Sequence, residues 1–145
     1  MTLYLSLGSN QGDRRALLDE AVRLIGERVG EVQAVSRYLE TEPWGFVSKY
    51  PFLNAAMRVA TTLSPWDVLA ITQTIERNLG RTRKSVAGIY HDRTIDIDLL
   101  MMGDIEMDET ALVGGRIQRL TLPHPLMQKR EFVMIPLREV LVQNV

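Results

Sequence analysis

The chain has 145 residues, 46% of them hydrophobic, which is enough for one domain with a sizeable core. Its 17 basic and 18 acidic residues leave a net charge of -1, so no overall field favours nucleic acid or an anionic membrane surface as a partner. The absence of cysteine excludes disulfides, thiolate metal sites and cysteine nucleophiles. With no leader-like N-terminus and no membrane-length apolar run, we expect a single cytoplasmic domain over residues 1–145, and a monomer.

The first half of the chain predicts one helix and three strands. Alternation of apolar residues predicts strands over residues 2–7, 32–39 and 53–61. The first strand should end at Gly8-Ser9-Asn10, because such residues are typical of turns. A helix should begin after Asp13 as its N-cap and end between Gly26 and Gly30.

The second half predicts a second long helix and a fourth strand. Ser64-Pro65-Trp66-Asp67 combines an N-cap serine, a proline at the first helical position and a carboxylate three residues after the cap. This helix should run to Leu79, with Gly80 as its stop. A fourth strand is predicted over residues 94–102, and its continuation as Leu99-Leu100-Met101-Met102, apolar on both faces, predicts a position in the centre of the sheet. The remaining segments indicate a loop that could form a hairpin over residues 103–122 and a short helix over residues 131–140.

The resulting order, β-α-β-β-α-β, is the split βαβ or ferredoxin-like arrangement. We therefore expect an α+β fold in which one antiparallel sheet has helices packed on it. A C-terminal loop or hairpin and a short helix would be added to this ferredoxin-like βαββαβ core.

Two carboxylates lie close together on the fourth strand, within the run Arg93-Thr94-Ile95-Asp96-Ile97-Asp98. Residues two apart on a strand share a face and are about 6.6 Å apart along the chain, so Asp96 and Asp98 should converge. Carboxylate oxygens favour Mg²⁺ or Mn²⁺, and Mg²⁺ usually completes its shell with water and substrate phosphates. A solvated strand face with both aspartates paired to arginines explains this pattern about equally well.

Basic and polar residues near the aspartates favour a polyphosphate ligand. Arg81-Thr82-Arg83-Lys84 follows the second helix, and Arg93 directly precedes the aspartate strand. Guanidinium groups beside a magnesium site can bind phosphate oxygens and balance the negative charge that the metal does not neutralise. Gln73 and Glu76 share one side of the second helix and could contact a ribose or base. Taken alone, each of these features is more typical of an ordinary exposed surface than of a ligand site.

Aromatic residues between positions 41 and 54 suggest a site for a flat heterocycle. Asn54 is preceded by four aromatic residues, Trp44, Phe46, Tyr50 and Phe52. The aromatic rings could stack on a flat ligand, and the amide of Asn54 could form hydrogen bonds with the edge of its ring. Core packing explains many of these aromatics equally well. The chain has neither a P-loop nor a Gly-x-Gly-x-x-Gly motif, so any ATP must be held by side chains and metal.

Four motifs occur together in an order and spacing that are highly specific. They are Gly8-Ser9-Asn10, Phe52-Leu53-Asn54-Ala55-Ala56, the run at residues 93–98, and Leu122-Pro123-His124. From residue 2 to about residue 140 the chain resembles 6-hydroxymethyl-7,8-dihydropterin pyrophosphokinase of folate biosynthesis. The resemblance implies a ferredoxin-like fold and transfer of the β,γ-diphosphate of ATP to the pterin hydroxymethyl group, with release of AMP.

The resemblance also implies roles for individual residues. Asp96 and Asp98 would bind two Mg²⁺ ions that bridge the ATP phosphates. Arg81 and Arg93 would act in catalysis from a loop that closes over the phosphates. The residues that would hold ATP are Gln73, Glu76, Leu99, Arg119, Thr121, His124 and Arg130. The residues that would contact the pterin are Thr41, Pro43, Trp44, Gly45, Phe52, Asn54, Tyr90, Asp96 and Phe132. The chain departs from the family pattern at Tyr90-His91-Asp92, where the pattern has tryptophan-glycine-proline, and in a longer segment 104–118.

Two other functions share the predicted fold. An RNA-recognition module would need exposed aromatics in a Lys/Arg-Gly-Phe/Tyr type motif on its central strands, and the sequence has none. A small-molecule-sensing module would make Asp96 and Asp98 structural. The ordered motifs favour the pyrophosphokinase over both, since fold alone does not decide function.

Overall fold

The structure, a computed structural model, describes residues 1–41, 51–80 and 94–142. Seven strands occur in these ranges: β1 Thr2–Ser9, β2 Glu31–Val35, β3 Leu39–Thr41, β4 Phe52–Ala60, β5 Asp96–Met102, β6 Met107–Val113 and β7 Arg116–Leu122. The helices are α1 Arg14–Arg28, α2 Pro65–Gly80 and α3 Glu131–Val140, with a short 3₁₀ helix at Met127–Lys129. The N-caps predicted for α1 and α2 are confirmed, because Asp13 Oδ1 accepts from the Ala16 amide and Ser64 Oγ from the Asp67 amide, both at 3.1 Å.

The main sheet is antiparallel and has the strand order β2-β4-β1-β5, which confirms the ferredoxin-like arrangement. The predicted second strand at 32–39 is instead two short strands, β2 and β3, which both pair with β4. Ser36 interrupts them, because its hydroxyl accepts the Ala56 amide at 2.9 Å and donates to the Arg37 carbonyl at 2.8 Å. A side chain thus takes the place of a backbone partner in the ladder.

Two further predictions about strands are wrong. β1 does not end at residue 7, since Gly8 and Ser9 continue the ladder opposite Asn54 and Leu53 of β4. β5 lies at an edge of the sheet and not in its centre. Leu99 and Leu100 are nevertheless buried on opposite faces, because α2 covers one face and the segment around α3 covers the other, so their burial does not require a second neighbouring strand.

The two faces of the sheet carry different helices. Leu3, Leu5 and Leu7 are at most 1% exposed and pack with α1 and α2, whereas Tyr4 and Leu100 pack beneath α3 on the opposite face. Alternation along β1 therefore contributes to two cores. No helix in the described part of the chain is long and apolar enough to cross a membrane.

The segment before α3 contains the hairpin that the sequence suggested, formed by β6 and β7. Gly114 and Gly115 have φ values of 61° and 82° and make its two-residue turn. Two successive positive φ values match the right-handed twist of the strands, and glycine reaches them without strain. The hairpin places the C-terminal half of β7 beside α2 and β5.

Candidate functional site

One row across the sheet joins an amide, a glycine and a carboxylate. Gly8 of β1 lies opposite Asn54 of β4 on one side and opposite Asp96 of β5 on the other. Residues directly opposite in neighbouring strands share a face, so the two polar side chains flank a position that has no side chain. A Cβ atom on Gly8 would lie 3.1 Å from Asn54 Oδ1 and 3.5 Å from Phe52 Cδ1. The row thus forms a flat floor with a polar group at each end.

The amide of Asn54 is fixed by the neighbouring strand. Its Nδ2 donates to Thr41 Oγ1 at 2.6 Å and to the Leu39 carbonyl at 3.3 Å, and the residue is only 3% exposed. Both amide hydrogens are therefore used by β3, and Oδ1 faces the floor as an acceptor. The structure thus brings together Thr41, Phe52 and Asn54, three of the residues predicted to contact the pterin.

The two aspartates share the same face, as predicted. Asp98 lies one row further along β5, opposite Ser6, and Asp96 lies in the row of Gly8. In the described ranges no three His, Cys, Asp or Glu side chains converge to hold a metal on their own. A pair of carboxylates nevertheless fits Mg²⁺, which characteristically takes one or two from the protein and fills its other positions with phosphate oxygens and water.

A third carboxyl group, that of Glu76, lies at the edge of β5. Its Oε2 accepts the Ile97 amide at 2.8 Å, and this amide belongs to an edge strand. Burial, together with the nearby charges of Asp96 and Asp98, raises the pKa of Glu76 to about 8. In the metal-free protein the Glu76 carboxyl group therefore holds its proton to a higher pH than an exposed glutamate does.

A cavity of about 490 Å³ opens between α2, β5 and β7. It brings together five residues that the sequence assigned to the metal or to ATP: Asp98, Leu99, Arg119, Thr121 and His124. Sequence reasoning missed its apolar lining, which includes Leu69, Leu120 and Pro125. Leu69 lies one helical turn before Gln73, so helical spacing could have found it. The cavity therefore combines an apolar wall with a few polar groups, as in small-molecule sites.

The histidine at this cavity has a defined protonation state. His124 Nδ1 accepts the Leu126 amide at 3.2 Å, so in the neutral ring the hydrogen is on Nε2. Burial and the charge of Arg130 lower the pKa of His124, while Asp96 opposes this shift. His124 is therefore a neutral N–H donor at physiological pH.

Two of the predicted ATP-binding residues are held by a carboxylate on β6. Asp108 accepts from Arg119 through both of its oxygens, at 2.6 Å each, and from Thr121 Oγ1 at 3.0 Å. These hydrogen bonds, those from Arg119 first, lower the pKa of Asp108 to about 2. Gln73, also predicted to bind ATP, pairs with Gln118 of β7, whose Nε2 donates to Gln73 Oε1 at 2.9 Å.

The remaining predicted residues fall into two groups. Arg130 precedes α3 and lies 5.8 Å from the ring centroid of Phe132, which packs with the core beneath α3. Phe132 is thus on the same sheet face as Asn54 and Asp96. Six predicted site residues lie outside the described residues: Pro43, Trp44, Gly45, Arg81, Tyr90 and Arg93.

Comparison with known proteins relates the chain to one enzyme family. Residues 4–142 match the family model described as 7,8-dihydro-6-hydroxymethylpterin-pyrophosphokinase. The 2-amino-4-hydroxy-6-hydroxymethyldihydropteridine pyrophosphokinase of Porphyromonas gingivalis is 51% identical over 140 residues, which are 95% of this chain and 89% of that protein. The Bacillus subtilis protein of the same name is 40% identical over 141 residues, or 97% of this chain and 78% of that one.

A solved structure shows the same fold at low identity. The crystal structure of an HPPK-DHPS in complex with substrates superposes with a TM-score of 0.74 at 14% identity, over 96% of this chain and 40% of that one. The match to the family model extends over most of the chain and includes all four sequence motifs. The chain therefore belongs to the 7,8-dihydro-6-hydroxymethylpterin-pyrophosphokinase family.

Proposed function

We propose that this chain transfers diphosphate from ATP to the hydroxymethyl group of 6-hydroxymethyl-7,8-dihydropterin in folate biosynthesis and releases AMP. Family membership and the names of the relatives support this reaction. One observation in the structure supports the proposed location of the active site. Asp96 lies in the row with Gly8 and Asn54, and Asp98 lines the neighbouring cavity, so one strand joins a floor for a heterocycle to a cavity for a nucleotide.

On the acceptor side, the fixed Oδ1 of Asn54 would accept a hydrogen bond from the donor edge of the pterin. The open position at Gly8 would allow the flat ring to lie on the sheet, with Phe52 and Phe132 as aromatic neighbours. We include Thr41, Pro43, Trp44, Gly45 and Tyr90 in this pterin site on the basis of the family resemblance. This arrangement would direct the hydroxymethyl group towards Asp96.

On the nucleotide side, the apolar wall of the cavity suits a base, and the polar residues suit a ribose and phosphates. His124 would donate through Nε2, and Arg119 and Arg130 would balance phosphate charge. Gln73, Glu76, Leu99 and Thr121 complete the proposed ATP site. Arg81 and Arg93 would add positive charge at the transferring group.

The chemistry is an in-line displacement at the β-phosphorus. The pterin hydroxyl oxygen forms a new bond to the β-phosphorus. The bond between the β-phosphorus and the oxygen that bridges it to the α-phosphorus breaks, so that AMP leaves with this oxygen. The hydroxyl proton is released. Asp96 and Asp98 would hold two Mg²⁺ ions, which when bound would offset the negative charge of the phosphates. The residues of the chain would mainly position the substrates and stabilise the charge of the transferring group. We also propose that the protein acts as a cytoplasmic monomer with one domain.

The test is product identity. The purified protein would be incubated with ATP, MgCl₂ and 6-hydroxymethyl-7,8-dihydropterin, and nucleotides would be separated by chromatography. AMP should form in equal amount to the pterin diphosphate, and only when the pterin is present. Formation of ADP, or of no nucleotide product, would contradict the proposal. Binding of single-stranded RNA at moderate salt without ATP consumption would instead favour the RNA-recognition module.

A further inference from the structure

The hairpin β6–β7 contains a carboxylate that the proposed reaction does not use. Asp108 of β6 lies directly opposite Thr121 of β7, and Arg119 lies diagonally across from it. Its Oδ1 accepts from Arg119 Nε and Thr121 Oγ1, and its Oδ2 accepts from Arg119 Nη2. A single side chain thus binds both polar residues through which β7 contributes to the cavity.

We propose that Asp108 is a positioning residue for ATP, which holds Arg119 and Thr121 in their binding orientation before the nucleotide arrives. This inference rests on the proposed function, because it concerns the same nucleotide cavity. The side chain of Arg119 is 68% exposed, so without a partner it would sample many rotamers. Fixing such a side chain before binding reduces the entropy that the nucleotide must otherwise remove.

The hydrogen bonds also determine what each residue can offer. Arg119 uses Nε and Nη2 for Asp108, so its remaining N–H groups are available to the ligand. Thr121 donates its hydroxyl hydrogen to Asp108, and its oxygen is left as an acceptor. Thr121 should therefore accept from a donor group of the nucleoside, because a phosphate at neutral pH has no strong donor to offer.

A different role for Asp108 would be to compete with phosphate for Arg119. The position of its carboxylate argues against this role. Asp108 is absent from the described residues that line the cavity, whereas Arg119 and Thr121 both line it. The carboxylate therefore lies behind the two residues rather than in the space that a nucleotide would fill.

The decisive variants are Asp108→Ala and the conservative Asp108→Glu. Glu109→Ala is a matched control, because Glu109 is the next residue on β6, is exposed, and points to the other face of the hairpin. Both alanine variants remove one negative charge from the same strand. If Asp108→Ala does not fold, Asp108→Asn keeps the size of the side chain and removes its charge.

Three experiments would be carried out: calorimetry for the Kd of MgATP, steady-state kinetics for the KM and kcat of both substrates, and urea denaturation for the midpoint of unfolding. Asp108→Ala should raise the Kd and KM for ATP about three- to tenfold, with kcat and the KM for the pterin changed less than twofold. Asp108→Glu should recover at least half of this loss, and Glu109→Ala should resemble the wild type.

Several outcomes would overturn the proposal. One is an ATP affinity of Asp108→Ala that equals that of the wild type. Another is tighter ATP binding by Asp108→Ala, which would indicate that Asp108 competes with phosphate for Arg119. The third is a loss of ATP affinity in Glu109→Ala as large as that in Asp108→Ala. The Kd is measured without pterin, so it tests the role of Asp108 whether or not the reaction occurs. A wild-type protein that binds MgATP but forms no AMP would therefore contradict the proposed function alone. A wild-type protein that does not bind MgATP would contradict both.

Discussion

Replacing Glu76 by glutamine should stabilise the metal-free protein, and the gain should grow with pH. The Glu76 pKa rises from 4.5 to about 8, mainly through burial. Between these values the folded protein binds a proton that the unfolded chain has released. The free energy of unfolding of the wild type therefore falls as the pH rises from about 4.5 to about 8. Glutamine does not titrate, so the variant avoids this loss.

The magnitude follows from the size of the shift. Linkage of the two pKa values gives a penalty of under about 1 kcal/mol at pH 5, about 3 kcal/mol at pH 7 and at most about 5 kcal/mol well above pH 8. Glutamine has nearly the same shape as glutamate and can still accept the Ile97 amide through its carbonyl oxygen. Its amide can also donate to Asp96, which glutamate does only when it is protonated.

The assay is urea denaturation of the wild type and of Glu76→Gln between pH 5 and pH 8.5, with EDTA to exclude metal. Glu106→Gln, at an exposed position, is the control and should show no pH-dependent gain. A variant that is less stable than the wild type at pH 8, or a difference that does not change with pH, would refute the reasoning.

Three further predictions concern the proposed site. Asp96→Ala and Asp98→Ala should each lower the rate of AMP formation about 10²–10³-fold with an unchanged circular dichroism spectrum, and near-normal rates would exclude the metal role. Gly8→Ala should raise the KM for the pterin roughly tenfold, because the added methyl group would contact Asn54, while the Kd for MgATP should not change. An equal loss of affinity for both substrates would contradict the assignment of this row to the pterin. His124 should titrate below pH 6.5 by NMR, with stability falling as the pH drops below that value, and a midpoint above 6.5 would be inconsistent with its burial.

Local patterns predicted the elements of this chain well. The N-caps at Asp13 and Ser64 and the leucines of β1 depend on residues close in sequence, so they could be identified without tertiary information. The order of these elements was enough to predict the ferredoxin-like fold. The same reasoning failed at Ser36, because the interruption of the strand there involves a hydrogen bond from the amide of Ala56, a residue 20 positions away, to the Ser36 hydroxyl.

Long-range contacts determine the surroundings of the predicted site residues. Sequence spacing suggested that Gln73 and Glu76 act together, but Gln73 pairs with Gln118 of β7 and Glu76 with the edge of β5. Likewise, the sequence gives no sign that Asp108 holds Arg119 and Thr121, because this depends on the register of the hairpin.

By itself, the sequence determined that Asp96 and Asp98 share one face, because the alternation of a strand has a period of two and needs no partner. It also identified the family, through four short motifs in order. Only the tertiary structure placed Gly8 between Asn54 and Asp96, formed the cavity beside Asp98 and partly buried Glu76. These features depend on strand register and helix packing between distant segments, and the pKa of a carboxyl group depends on the water and charges that such packing leaves around it.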